Sequence, residues 1–273
     1  MIQNGVYPAS VTPFDSKDRV DIAGVARLLA WFEAAGCKGV VLAGTNGEGP
    51  SLSAVEKRDL IRDAAGLKGK LDLILGIATP SLDEAKWLAS QAGKAGAAAV
   101  LVMPPYYFRS ASDEGIELWF REVLEASTTG VLIYNHPKMT GFPLSAAMVK
   151  RLSSHERMAG IKDSSGSADN ISEYRSVLQQ HHKLFVGDET LLLQVLGAGW
   201  SGTISGAANV LPVPICAVVQ DYFEGKTESA EAKFALILPE IEKRRSLGQP
   251  SANKRELFEL GVIPSPKPRL PLL

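Results

Sequence analysis

Short apolar runs alternate with helical patterns along the whole chain. Each run has the length of a buried strand, and apolar residues at helical spacing follow it. The eight runs occupy positions 6–11, 39–43, 73–77, 98–103, 131–134, 158–161, 183–186 and 202–204. Strands that alternate with helices predict a parallel sheet covered by helices, and eight such units predict closure into a (β/α)8 TIM barrel, an α/β fold.

Two of the predicted helices carry capping signals at their first residues. Ser53 is followed three residues later by Glu56, and Ser81 is followed at the same spacing by Glu84. A serine side chain at this position can accept a hydrogen bond from the backbone of the glutamate, and the glutamate can reach back in return. We therefore predict a capping box at both helices.

The C-terminal quarter of the sequence differs from the repeating part. It has helical patterns at 227–245 and 252–260 and then a proline-rich tail. No proline- or glycine-rich stretch is long enough to be a linker between folding units. We therefore expect a (β/α)8 barrel over residues 1–225 and a C-terminal helical extension, residues 226–273, packed on the barrel.

Composition narrows the class of protein. The 273 residues include 29 basic and 30 acidic side chains, a formal charge of −1. This balance argues against a nucleic-acid or anionic-membrane partner, since both require a basic surplus on one face. No apolar stretch reaches the ~18 residues of a membrane span and the amino terminus lacks a signal-peptide pattern, so we expect a cytoplasmic protein. Cys37 and Cys216 are too few for a disulfide framework and are predicted to be buried free thiols.

One lysine stands at the carboxyl end of the sixth run. Lys162 follows Gly160-Ile161 and precedes Asp163-Ser164. Side chains at the carboxyl ends of barrel strands face a shared pocket, and apolar neighbours there disfavour the ammonium form of a lysine. A neutral amine could attack a keto acid and form a Schiff base. The alternative is an ordinary surface lysine in a turn.

A glycine-rich turn, Gly44 to Gly49, follows the second run. Its backbone N–H groups and the Thr45 hydroxyl could hold a carboxylate. A plain tight turn before a capped helix explains the pattern equally well.

Aromatic and small residues follow three further runs. Tyr106 and Tyr107 follow the fourth run, where they could equally be packing aromatics. Tyr134-Asn135-His136-Pro137 ends the fifth run. Small residues from Ser205 to Asn209 follow the eighth run and would let a ligand approach the backbone closely.

These motifs, in this order, resemble those of the 4-hydroxy-tetrahydrodipicolinate synthase and N-acetylneuraminate lyase family of pyruvate-dependent class I aldolases. The resemblance covers nearly the whole chain. The matching strings are Gly44-Thr45-Asn46-Gly47-Glu48, Tyr106-Tyr107, Tyr134-Asn135-x-Pro137, Gly160-Ile161-Lys162-Asp163 and Ser205-Gly206-x-x-Asn209. Five strings in register are far more specific than any one of them.

The resemblance implies a role for each site residue. It implies that Lys162 forms the Schiff base and that Tyr134 is the acid/base phenol. It implies that Thr45 and Tyr107 complete a proton relay, with Tyr107 reaching across the interface of a tight dimer. The implied substrate-binding residues are Gly44, Thr45, Asn46, Met139, Ile204 and Ser205. It also implies a small-molecule substrate, no cofactor or metal, and a homotetramer built as a dimer of dimers.

Several positions depart from the dipicolinate branch of the family. That branch has an arginine two residues after the proline of the tyrosine motif, where this chain has Met139. A methionine cannot make the charge-assisted contact with an aldehyde carboxylate, although Lys138 could substitute as a point charge. Asn46 and the Thr140-Gly141 pair resemble the branches that cleave 2-keto-3-deoxy sugar acids or 4-hydroxy-2-oxoglutarate. We therefore expect a lyase of that type, with 4-hydroxy-tetrahydrodipicolinate synthesis as the alternative.

Two other functions compete with the aldolase. A metal-dependent enzyme would need paired ligands, and the four histidines show no such spacing. His181 and His182 are predicted to lie on a solvated turn, whereas His136 could touch substrate or pack in its turn. A catalytically silent, ligand-binding regulatory barrel is disfavoured because both Lys162 and Tyr134 are present.

Overall fold

Eight strands form the centre of the computed structural model, which describes residues 2–273. They are β1 (Gly5–Pro8), β2 (Gly39–Leu42), β3 (Asp72–Ile77), β4 (Ala99–Val102), β5 (Gly130–Asn135), β6 (Met158–Asp163), β7 (Lys183–Val186) and β8 (Gly202–Ser205). All neighbours are parallel, in the order β1-β8-β7-β6-β5-β4-β3-β2. A single bridge between Ala9 and Val41 joins the two ends of the sheet. The predicted TIM barrel is thus confirmed.

Helices surround the strands and continue after them. They are α1 (Ile22–Ala34), α2 (Ala54–Ala65), α3 (Leu82–Lys94), α4 (Asp113–Ala126), α5 (Pro137–Thr140), α6 (Ala146–Leu152), α7 (Asp169–Val177), α8 (Leu192–Gly197), α9 (Pro212–Phe223), α10 (Thr227–Ser246) and α11 (Ser251–Glu259). The last two correspond to the helical patterns predicted after the eighth run.

The two predicted caps have different outcomes. At α2 the capping box is confirmed, because Ser53 Oγ accepts from Glu56 N at 3.2 Å and Glu56 Oε2 accepts from Ser53 N at 2.9 Å. At α3 the Ser81 side chain accepts from the backbone of Glu84 at 3.3 Å. The Glu84 carboxylate does not return the contact, since it accepts instead from Lys57 Nζ at 3.2 Å and from a threonine hydroxyl.

The barrel has two apolar layers. An outer layer lies between the strands and the helices, and an inner layer fills the barrel itself. Side chains alternate between the layers because successive residues of a strand point to opposite faces. The inner layer includes Tyr7, Val41, Ile74, Leu101, Leu132, Tyr134, Phe185 and Ile204.

A β-bulge in β6 decides which side chains enter the barrel. Val131 pairs with Met158, whereas the next residue of β5 pairs with Gly160, so Ala159 is one extra residue. Met158 lies in the outer layer, and in a regular strand Lys162 would share its face. The extra residue reverses the alternation and turns Lys162 inward.

Only glycine fits beside this bulge. Gly160 has a φ of 149°, a conformation that L side chains rarely adopt. A Cβ atom there would lie 1.8 Å from the carbonyl oxygen of Lys183 on the neighbouring strand. The glycine that precedes the lysine by two residues is therefore part of what orients the lysine.

The C-terminal segment packs on the loop that follows β2. The ammonium group of Lys254 pairs with the Glu48 carboxylate, and both side chains are fully buried. The backbone N–H of Arg269 donates to the same carboxylate at 2.7 Å. Phe14 lies beneath both cations, 4.0 Å from Lys254 Nζ and 4.4 Å from the Arg269 guanidinium carbon.

The structure also bears on the predictions for the cysteines, the histidine turn and a membrane span. Cys37 and Cys216 are free and buried as predicted, with their Sγ atoms 3.6 Å apart. The solvated turn is wrong for His182, which is buried and whose Nδ1 accepts from the backbone of Gln179 at 3.1 Å. None of the helices within residues 2–273 has both the length and the apolar character needed to cross a membrane.

Candidate active site

A pocket of about 310 Å³ opens at the carboxyl ends of the strands. This is where barrel enzymes place their chemistry. Seven of the predicted site residues line it together, namely Gly44, Thr45, Asn46, Tyr134, Met139, Lys162 and Ile204. Its floor is apolar, formed by Ala9, Val41 and Leu101 of the inner layer.

Lys162 lies within β6 and not after it as predicted, because the strand continues to Asp163. It pairs in register with Tyr134 on one side and Phe185 on the other, so all three point into the barrel. The residue is only 5% exposed. Its side chain passes Gly187, where a Cβ atom would lie 2.8 Å from Lys162 Cε. A larger residue at 187 would displace the amine.

Tyr134 is the nearest polar neighbour of the amine on β5. Lys162 Nζ lies 4.3 Å from the centre of the Tyr134 ring. Ser164 Oγ is 3.5 Å from the Tyr134 hydroxyl, which is a long contact. Within residues 2–273 the Tyr134 hydroxyl makes no hydrogen bond to Thr45, although both line the pocket. Thr45 and Tyr134 therefore share the pocket without a direct hydrogen bond between them.

The loop after β2 is tightly folded around glycines. A Cβ atom at Gly49 would lie 2.0 Å from the carbonyl oxygen of Ala43, so this turn admits no side chain there. Thr12 Oγ1 donates to the carbonyl of Gly47 at 2.7 Å. The loop therefore holds Thr45 and Asn46 on the pocket wall through backbone geometry.

Two predicted site residues lie outside the pocket lining. Ser205 is fully buried, and its hydroxyl donates to Glu189 Oε1 at 2.7 Å and accepts from the backbone of Ala208 at 2.9 Å. It fixes the strand end instead of facing the cavity. Tyr107 is 74% exposed on the loop after β4, beside the equally exposed Phe108.

Several lining residues were not predicted from the sequence. Gly187, Asp188 and Glu189 follow β7, and the rule that chemistry clusters after strands would have found them. Arg245 and Gln249 belong to the segment at and after the end of α10. They carry no local sequence signal, because only the return of the chain brings them to the pocket.

The charges at the pocket mouth are partly paired. The Arg245 guanidinium pairs with Asp188, whose carboxylate also accepts from the Thr190 hydroxyl at 2.6 Å. Glu189 is held by Ser205. Lys138 lines the same mouth and makes no ion pair within residues 2–273.

His136 lines the pocket between Tyr134 and Lys138. Burial, with smaller contributions from Lys162 and then Lys138, lowers the pKa of His136 to about 4. Its Nδ1 atom is buried and has no hydrogen-bond partner within residues 2–273. The imidazole is therefore neutral near pH 7. An orphaned Nδ1 is best left unprotonated, so Nε2 carries the hydrogen.

The back of β5 and β6 is fixed by a polar cluster. Asp163 accepts from Asn135 Nδ2 at 2.7 Å and from Ser165 Oγ at 2.8 Å. Burial raises the pKa of Asp163, while these hydrogen bonds act in the opposite direction. Asn135 Oδ1 in turn accepts from the backbone of Leu144 at 3.0 Å. The ends of the two strands that carry Tyr134 and Lys162 are thus tied together.

The residues that could ligate a metal are dispersed. Across positions 2–273 there is no group of three or more histidine, cysteine, aspartate or glutamate side chains placed to hold a metal ion. The groups that the pocket provides for a reaction are a buried amine, a phenol and backbone or amide donors.

Comparison with known proteins gives a consistent answer. The sequence model of the Dihydrodipicolinate synthetase family matches residues 3–273. A 4-hydroxy-tetrahydrodipicolinate synthase of Archaeoglobus fulgidus is 35% identical over 269 residues, which cover 98% of this chain and 92% of that protein. A second relative of that name, from Methanococcoides burtonii, is 31% identical over 94% of this chain and 88% of its own length.

Solved structures agree with the sequence comparison. The 4-hydroxy-tetrahydrodipicolinate synthase of Methylacidiphilum fumariolicum SolV superposes with a TM-score of 0.93 at 31% identity, covering 99% of this chain and 90% of that one. A prophage protein of the dihydrodipicolinic acid synthase family from E. coli K12, solved in complex with pyruvate, gives a TM-score of 0.94 at 25% identity, covering 100% and 93% of the two chains. With the barrel and the pocket described above, these matches show that the chain belongs to the dihydrodipicolinate synthetase family of pyruvate-dependent lyases.

Proposed function

We propose that Lys162 is the Schiff-base lysine of a class I aldolase that uses pyruvate. One observation carries the proposal: a single amine, 5% exposed, lies on the inner face of the barrel with its Nζ 4.3 Å from the ring centre of a tyrosine. A primary amine at the bottom of a pocket, beside a phenol, is suited to attack a ketone. The family membership and the pyruvate-bound structural relative support the choice of keto acid.

The reaction begins with the neutral Lys162 amine. Nζ attacks C2 of pyruvate, the carbonyl oxygen leaves as water, and a protonated imine remains. The imine withdraws electrons, so the methyl group loses a proton and an enamine forms. The enamine carbon bonds to the carbonyl carbon of an aldehyde, whose oxygen takes up a proton. Water then hydrolyses the imine, which frees Lys162 and a 4-hydroxy-2-oxo acid. The same steps in reverse cleave that acid.

Tyr134 is the proposed acid and base for these transfers. Its hydroxyl donates the proton that the departing water needs and, as phenolate, takes the methyl proton of the imine. The imine cation beside the ring favours the phenolate during that step. Thr45 is proposed to join the relay through the bound substrate, since it lines the same pocket without bonding Tyr134 directly.

The pyruvate carboxylate is assigned to the loop after β2. Gly44, Thr45 and Asn46 line the pocket and supply backbone N–H groups, a hydroxyl and an amide. Such preorganised donors stabilise an anion without a metal ion. Ile204 and Met139 complete the lining as apolar contacts.

The proposed substrate is a 4-hydroxy-2-oxo acid of the 2-keto-3-deoxy sugar acid or 4-hydroxy-2-oxoglutarate type. The exposed Met139 on the pocket wall supports the sugar-acid type in particular, because no guanidinium stands at this position to bind a distal carboxylate. The alternative, 4-hydroxy-tetrahydrodipicolinate synthesis from pyruvate and aspartate semialdehyde, is supported by the names of the relatives. The cations Lys138 and Arg245 at the mouth also favour it, since either could contact a distal carboxylate.

Tyr107 is proposed to work in the site of a second subunit. An apolar pair of rings that is 74% and 71% exposed is unusual on a monomer surface, and a loop with this character suits a subunit interface. We accordingly propose a cytoplasmic homotetramer, a dimer of tight dimers, in which each barrel is residues 1–225 and residues 226–273 form its extension.

Borohydride trapping tests the assignment of Lys162. Incubation with pyruvate and borohydride should reduce the imine and add the mass of a reduced pyruvate to the peptide that contains Ile161 to Ser164. Lys138→Met, which removes the other pocket lysine, should be trapped like the wild type, and Lys162→Ala should not. Inactivation without an adduct, or an adduct on another lysine, would contradict the proposal.

A further inference from the structure

Asn253 of α11 contacts two residues of the active-site pocket at once. Its Nδ2 atom lies 3.0 Å from Asn46 Oδ1 and 3.2 Å from the carbonyl oxygen of Gly206. Asn46 and Gly206 both line the pocket, on the loops that follow β2 and β8. Asn253 itself does not line the pocket and is only 1% exposed. A buried amide behind the wall thus bridges two sides of the site.

The contact with Gly206 fixes the orientation of the Asn253 amide. A backbone carbonyl can only accept, so the Asn253 atom that faces it must be the nitrogen. The same nitrogen faces Asn46, which must therefore present its oxygen to Asn253. The Asn46 nitrogen is left on the other side of that amide.

The Asn46 nitrogen lies near Gly206 on the pocket wall. A Cβ atom at Gly206 would lie 3.0 Å from Asn46 Nδ2 and 2.7 Å from Gln249 Oε1, so this donor lies over the bare face of Gly206 beside the Gln249 amide. Without Asn253 the Asn46 side-chain amide could flip, which would place its acceptor oxygen Oδ1 over Gly206 in place of Nδ2. An oxygen at that place would repel a carboxylate, whereas the nitrogen binds it.

The helix that carries Asn253 is firmly attached to the same loop. The neighbouring residue, Lys254, makes the fully buried ion pair with Glu48, two residues after Asn46. Both contacts keep α11 at a fixed distance from the loop. Asn253 is therefore held well enough to impose an orientation on Asn46.

From this geometry we infer that Asn253 is a positioning residue, which fixes the Asn46 amide so that its N–H groups face the pyruvate carboxylate. The inference rests on the proposed function and extends it to a residue of the C-terminal extension that does not touch substrate. In the keto-acid subsite, Asn46 then donates to pyruvate, and Asn253 sets the orientation of the Asn46 amide.

The test compares pyruvate binding in Asn253→Val, Asn46→Thr and the double variant of the full-length protein. Calorimetry with pyruvate should give an affinity about 10-fold weaker in Asn253→Val, the usual effect of losing an oriented hydrogen bond to a charged group. The KM for pyruvate should rise similarly while kcat at saturating pyruvate stays within a few-fold. Ser251→Ala, on the same helix, should behave as the wild type.

The double variant separates positioning from packing. A threonine hydroxyl rotates freely and does not need its direction set, so Asn253→Val should have little further effect in the Asn46→Thr background. If the two losses multiply, or if Asn253→Val lowers only the melting temperature and leaves pyruvate affinity unchanged, the inference is overturned. Asn253→Ser, whose short side chain cannot span both acceptors, should repeat the result and replaces Asn253→Val if that variant does not fold.

This outcome is separate from that of the proposed function. Weaker pyruvate binding in Asn253→Val without any trapped adduct in the wild type would support the inference and reject the Schiff base. An adduct at Lys162 with unchanged pyruvate affinity in Asn253→Val would do the reverse.

Discussion

Lys162 and Tyr134 are partners in register on adjacent strands, with Lys162 Nζ 4.3 Å from the centre of the tyrosine ring. Strand pairing, and not a flexible loop, sets this distance. A site built on strands holds its geometry more tightly than one built on loops. The amine and the phenol are thus preorganised before substrate arrives.

Replacing Tyr134 by phenylalanine should preserve the fold and the trapping of pyruvate but lower kcat by about 10²–10⁴-fold, because it removes the general acid and base. The measurement is steady-state turnover beside borohydride trapping of the same variant. Tyr106→Phe, on the loop after β4, is the matched control and should retain activity. Near-normal turnover in Tyr134→Phe would place the proton transfer on another group.

Substrate choice should follow the charge at the pocket mouth. A 2-keto-3-deoxy sugar acid carries no distal carboxylate, so we expect the wild type to cleave it with a higher kcat/KM than it shows for condensing aspartate semialdehyde with pyruvate. Met139→Arg should raise kcat/KM for aspartate semialdehyde by about 10-fold or more, as a charge-assisted contact would.

The cations already at the mouth provide the counter-test. 4-Hydroxy-2-oxoglutarate has a second carboxylate, so its cleavage should fall in Lys138→Met or Arg245→Met if either side chain binds it. Efficient use of aspartate semialdehyde by the wild type, with no gain from Met139→Arg, would reassign the chain to 4-hydroxy-tetrahydrodipicolinate synthesis.

The neutral His136 should make the protein less stable in acid. Burial lowers its folded pKa to about 4, below the ordinary value of 6.5, so between these values the unfolded chain binds a proton that the folded chain does not. Stability therefore falls as the pH drops from about 6.5 to about 4. His136→Val should reduce this loss, as measured by urea unfolding at pH 7 and pH 5. Met139→Leu, on the same turn, should keep the wild-type slope, and an identical slope in His136→Val would contradict the assignment.

The buried pair of Lys254 and Glu48 should be costly to break. Lys254→Met leaves a carboxylate buried without its cation, which typically costs about 3–5 kcal/mol of unfolding free energy. The double variant with Glu48→Gln should lose less than the two single losses combined. Lys86→Met breaks an exposed pair with Glu122 and should cost at most about 1 kcal/mol. Equal effects of the two lysine substitutions would show that burial does not matter here.

The barrel and the centre of its site were predictable because their signals are local. Apolar runs and helical spacing marked the strands, and the rule that chemistry follows strands selected Lys162, Tyr134 and Thr45. These are properties of ten or fewer consecutive residues. The resemblance of five short strings added the roles that the residue types alone left open.

The remaining parts depend on contacts that no local pattern contains. The bulge at Ala159 reverses the alternation of β6, and without it the lysine would face outward. Arg245 reaches the pocket, and Asn253 reaches the residues behind its wall, only because the chain returns to them after the barrel is complete. Thr45 and Tyr134 line one pocket without a direct hydrogen bond, because a shared wall does not by itself bring two hydroxyls together.

The contacts between the loop after β2 and the C-terminal segment form late in biosynthesis. Asn46 and Asn253 are 207 residues apart, and Glu48 is 221 residues from Arg269, whose backbone N–H donates to it. At typical translation rates of about 5–20 residues per second, the loop emerges from the ribosome ~10–40 s before its partners. During that interval the Glu48 carboxylate can only be hydrated. The loop that is proposed to hold the keto acid is therefore completed only after all eight strands of the barrel have been made.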